Sequence, residues 1–154
     1  MEYTLAQLEK VTGVPRRALQ FWTDRGAIHA AKGARRGVHR RFTRDEAIVA
    51  SILNGFAYLT IADLEGIARV ARAMLTANRE SMEMAIAGEA DVLCLFERHG
   101  KHNSGGRVVP IPRDRNGQAK ELTQAMQLSL PTLKKEAGRV HAILLGTYTK
   151  GLRL

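Results

Sequence analysis

The chain has 154 residues, enough for one ordinary domain or two small ones, with 45 % hydrophobic and 25 % charged residues, the balance of a globular protein. No apolar run approaches the roughly 18 residues of a membrane span, the opening MEYTLAQLEK lacks the cationic start of an export signal, and the single cysteine, Cys94, rules out an internal disulfide or a multi-cysteine metal centre. Of the formal charge of +9, a net +8 lies between Val14 and Arg44, where eight arginines and one lysine face one acid, Asp24.

The elements read in chain order as follows. Thr4 and Gln7 have the spacing of a capping box, which opens a helix carrying Leu5, Leu8 and Val11 and closing at Thr12 and Gly13. Pro15 opens a second helix with Ala18, Leu19 and Trp22 on one face, ending near Arg25 and Gly26. From Ile28 to Phe42, glycines alternate with cations, the pattern of a two-stranded hairpin with a basic tip, a wing. Thr43, Asp45 and Glu46 start a helix expected to reach about Tyr58 on the stripe Ile48, Ile52, Leu53 and Phe56. Thr60 and Asp63 start another, carrying Ile61, Leu64, Ala68, Ala71 and Leu75 towards Asn78.

Past Gly88 the apolar run Val92 to Glu97 predicts a strand covered on both faces, which makes Cys94 a buried small hydrophobe. HGKHNSGG reads as a turn, and Arg107 to Ile111 as a second short strand that Pro110 confines to an edge or an end. Met126, Leu128 and Leu130 alternate, yet Leu122, Met126 and Leu130 fit one helical face, so residues 119–130 are open between strand and helix. Pro131 then predicts a final helix whose Leu133, Ala137, Val140, Leu144 and Thr147 form a short coiled-coil seam, suited to dimerisation with neighbouring strands or to covering the chain's own sheet. The fold class expected is mainly α with small β (α+β), with a DNA-binding region at 1–79 and a dimerisation or regulatory region at 80–154.

Function follows first from the charge patch. Val14, Leu19, Phe21, Trp22, Ile28 and Phe42 are threaded through it, so it is a folded surface and not a disordered tail. Such a surface suits a polyanion, because neutralising phosphates releases their counterions. The order helix, Gly turn, helix, basic hairpin, helix describes a winged helix-turn-helix. At YTLAQLEKVTGVPRRALQFWTDRGAI and GVHRRFTRDEA the chain resembles the MerR family of bacterial transcription regulators, with Tyr3, Thr4, Gly13, Val14, Arg17, Phe21, Trp22, Arg40, Phe42 and Thr43 at matching positions.

The resemblance covers the first half and implies a cytoplasmic regulator of double-stranded DNA, with itself as homodimer partner and RNA polymerase as a further one. It places Pro15, Arg16, Arg17 and Gln20 at the major groove, where Arg pairs with guanine and Gln with adenine. Trp22 is either a phosphate donor through its indole N–H or a core residue. In the wing, Lys32 and Arg35 or Arg36 are expected at a minor groove and Arg40 and Arg41 at phosphates, with His39 among the DNA-facing residues around the two glycines. Nothing in the sequence implies a cofactor, and no phosphate loop, nucleophile signature or carboxylate pair with a supporting histidine points to an enzyme. The alternative is an excisionase-like factor that bends DNA for recombination.

Overall fold

The structure is a computed structural model, and it describes residues 1–31, 39–99, 103–111 and 139–153. The wing tip with Lys32, Arg35 and Arg36, the ambiguous stretch 119–130, and Leu133 and Ala137 lie outside the described residues. Strand β1 (Glu2–Thr4) leads into helix α1 (Leu5–Thr12). The capping box forms as the sequence predicts: Gln7 N–H donates to Thr4 Oγ1 at 3.2 Å and Thr4 N–H to Gln7 Oε1 at 2.8 Å. Gly13 closes the helix at φ 72°, a left-handed conformation that disfavours a side chain. Helix α2 (Arg16–Asp24) follows, and after the basic segment come strand β2 (Arg41–Thr43) and helix α3 (Arg44–Gly55), which Thr43 caps through Glu46 N–H.

Of the hairpin expected over Ile28–Phe42, residues 32–38 lie outside the described residues. Strand β2 pairs antiparallel with β1, Tyr3 opposite Phe42, while Ala31 N–H makes a single contact to Arg41 O at 2.7 Å. Pairing with the N-terminus buries Phe42 fully and Tyr3 almost so, an apolar gain that local reading of Ile28–Ala31 does not reveal.

Helix α4 (Ile61–Ala77) starts at its Thr60 cap, and helix α5 (Arg79–Ala87), absent from the sequence reading, follows one residue later. It buries Met82, Ala85 and Ile86 and ends at Gly88. Among the described residues, three strands follow: β3 (Asp91–His99), β4 (Asn103–Ile111) and β5 (Arg139–Leu144), an antiparallel sheet in the order β4-β3-β5. Among the described residues Pro110 lies on an edge strand, β4, where a residue without an N–H is tolerated. As predicted, β3 is covered on both faces: Val92, Cys94 and Phe96 join the main core, and Leu93 and Leu95 a second apolar cluster with Ile111, Val109, Ala142 and Leu144.

Two sequence expectations fail here. The Ser-Gly-Gly of the presumed turn belongs to β4, because β4 crosses α4 so closely that a Cβ on Gly106 would stand 2.1 Å from Met74 Cε and 2.8 Å from Leu95 O. The final helix is replaced over Arg139–Leu144 by β5, which pairs with β3 from Leu93 opposite Leu144 to Arg98 opposite Arg139. Val140 and Leu144 therefore belong to a strand and not to a helical seam. A spacing of four fits a period of two as well as 3.6, and the free edge of β3 decides between them. Of the expected helix, residues 131–138 lie outside the described residues; after β5 come one helical turn, Leu145–Tyr148, and a 3-10 turn at Lys150–Leu152.

The main core runs continuously from Tyr3 to Leu152. Phe56 at the end of α3 packs edge-on against Phe96 of β3, with centroids 5.6 Å apart. Gly151 lies so near α1 that a Cβ would stand 2.0 Å from Val11 O. Among the described residues, no helix is long and apolar enough to cross a membrane.

Candidate nucleic-acid interface

Helix α2 is amphipathic in the simplest sense: Leu19 and Trp22 are buried, while Arg16, Arg17, Gln20, Phe21, Asp24 and Arg25 are exposed. Pro15, also exposed, is its N-cap and has no side-chain cap of its own. Instead Glu9 of α1 accepts the Arg16 N–H at 3.0 Å, so the first helix both orients the second and neutralises its N-terminal dipole. Thr12 Oγ1 accepts the Val14 N–H at 3.2 Å and fixes the turn between them.

The structure separates the predicted contact residues into two groups. Arg16, Gln20, His39 and Arg40 come together along a surface groove of about 710 Å³, completed by Thr4, Leu5, Ala6 and Asp24. Arg40 is bridged to Asp24 at 2.8 Å, the two side chains 45 % and 59 % exposed, which ties the far end of the basic segment to the end of α2. Arg41, on β2, is exposed beside it. Of the two roles open to Trp22, phosphate donor or core residue, its 4 % exposure fits the core. Its large ring stabilises more by burial behind the cationic face than by solvent contact. Phe21 departs in the other direction: expected as an apolar anchor, it is half exposed.

The sequence reading missed the group that holds the root of the basic segment. Glu46, buried on α3, accepts the His29 N–H at 2.7 Å and takes Arg72 of α4 in a two-pronged bond, Nε at 2.7 Å and Nη2 at 2.8 Å. The same Nη2 donates to Ala27 O at 2.8 Å. With all these partners, Glu46 and Arg72 anchor Ala27–His29 to both α3 and α4. Their positions 26 residues apart carry no local signal, and Glu46 reads only as a helix-start acid.

A second set of ions joins the first turn of α3 to α5. Asp45 accepts both guanidinium nitrogens of Arg79 at 2.6 and 2.7 Å, and Arg44 pairs with Glu83. The hydrogen bonds from Arg79 hold the Asp45 carboxyl below its ordinary range, and Asp45 in turn raises Arg79. Leu144, expected at a dimer seam, packs instead in the outer cluster of the sheet. No group of metal-binding side chains occurs among the described residues.

No curated protein matches the chain. Residues 3–52 match the family model described as MerR HTH family regulatory protein, a span that includes β1, α1, α2, β2 and most of α3. The N-terminal part of this chain is therefore a helix-turn-helix of the MerR family, the DNA-binding module of a family of regulators.

Proposed function

We propose that the chain is a cytoplasmic, sequence-specific regulator of transcription that binds double-stranded DNA as a homodimer on an inverted repeat, with RNA polymerase as its partner at the promoter. Residues 1–79 bind DNA in this reading, and residues 80–154 supply self-association and regulation. The observation that carries it is the cationic outer face of α2, with Arg16, Arg17 and Arg25 exposed over buried Leu19 and Trp22 and with His39, Arg40 and Arg41 exposed on the adjoining segment. A helix so presented fits a major groove, and the flanking cations fit phosphates. One small module buries limited surface, so specific affinity favours two copies related by a two-fold axis.

Fluorescence anisotropy of the full chain over a salt series, on a selected duplex and a scrambled one, tests the division of labour. Arg17→Ala is expected to lose about 1–3 kcal/mol on the selected duplex and little on the scrambled one, while Arg40→Ala weakens both alike and lowers the salt slope by about one. Equal losses for both variants on both duplexes would refute it. Light scattering is expected to give a dimer mass; a monomer at binding concentrations removes the homodimer. Strong bending with little base discrimination would favour the excisionase-like role instead.

A further inference from the structure

Phe21 is a large apolar side chain, 50 % exposed, in the middle of a basic surface. On α2 it lies four residues after Arg17 and four before Arg25, both exposed. Positions four apart share one face of a helix, so the three side chains form one stripe on the side turned away from Leu19 and Trp22. Core packing does not require the ring there, since the buried face of α2 is already filled by those two residues. Phenylalanine also carries no donor or acceptor, which excludes a hydrogen bond to phosphate from its side chain. An apolar ring flanked by guanidinium groups is matched by a surface that is anionic at its margins and apolar at its centre.

A duplex major groove has such a surface wherever a thymine lies, because the C5-methyl is the apolar group displayed on a base edge between the phosphate backbones. We propose that Phe21 is a specificity-determining contact whose ring packs on a thymine methyl in the major groove. Four residues of helix advance about 6 Å, which places that thymine within about two base pairs, at 3.4 Å each, of the position read by Arg17. The inference rests on the reading of the chain as a sequence-specific DNA-binding regulator and adds the chemical feature that one position of the site must carry.

The test uses the full chain and a duplex selected by it from a random-sequence pool. Each thymine in turn is replaced by deoxyuracil, which removes the methyl and leaves every hydrogen-bonding atom, and binding is followed by anisotropy at one salt concentration. At one thymine in each half-site, the unaltered protein is expected to lose affinity about fourfold, the effect of one buried methyl. Phe21→Ala should bind the thymine and uracil duplexes equally, and Phe21→Leu should keep part of the difference. A selected duplex at which every uracil is tolerated, or a uracil effect that persists in Phe21→Ala, overturns this contact while leaving the regulator reading intact. A change in the solution mass of free Phe21→Ala without a uracil effect assigns the ring to a protein contact and also overturns it. Failure to select any preferred duplex overturns the regulator reading itself, and the contact with it.

Discussion

Helix α2 and strand β3 divide the molecule's work. Helix α2 buries one side, Leu19 and Trp22, and leaves a charged stripe outside, whereas β3 buries Val92 through Phe96 on both faces. In α2 the residues that are not in the core carry the chemistry, and short-range devices set the geometry: the Thr4 capping box and Gly13 for α1, and Glu9 across the turn. Along Val92–Phe96 every side chain is buried, and the strand's pairing partners lie from 4 to 51 residues away in sequence. A surface built from local signals can vary its exposed residues freely, while a doubly covered strand fixes a framework that tolerates little change.

The largest expected effect lies behind the cationic face, at the root of the basic segment. Glu46→Ala leaves Arg72 and the His29 N–H without their acceptor, and urea unfolding should show a loss of about 3 kcal/mol. A loss below about 1 kcal/mol would mean that the root of the basic segment is held by other contacts. Next, Gly106→Ala forces a methyl against Leu95 O and Met74, and should cost about 2 kcal/mol through the packing of β4 on α4. Retained stability would show that the sheet rides more loosely on α4 than its geometry requires.

Thr4→Ala removes one local device and should cost about 1 kcal/mol. If instead it matches the effect of Gly106→Ala, the contrast between local and distant control fails. The smallest effect belongs to Cys94, whose thiol burial pushes up to about 12. A raised native value favours the neutral thiol, so this contribution is fully present below the unfolded value of about 8.5 and is lost as pH rises towards 12. Between pH 7 and 9 the loss should stay under about 1 kcal/mol, and the corresponding pH slope should vanish in Cys94→Ala.

The helix starts at Thr4, Thr43 and Thr60 were legible because a cap is a contact between residues three apart. The apolar faces of α1, α3 and α4 were legible for a similar reason, period and burial agreeing. The cationic side of α2 followed from the same rule, and with it the groove residues Arg16, Gln20 and Arg40. Helix α5 escaped notice: its Met82, Ala85 and Ile86 make a narrow stripe over only nine residues.

What the linear order of residues determined is what neighbours decide among themselves: caps, turns, helical faces and the concentration of charge. The tertiary structure alone decided that β2 pairs with the N-terminus, that Val140 and Leu144 join a strand, that Trp22 goes in while Phe21 stays out, and that Glu46 meets Arg72. Each of these turns on which distant surface is free to receive a given side chain. That depends on where the chain has already packed, and a pattern compatible with two periods is resolved only by the partner that buries it.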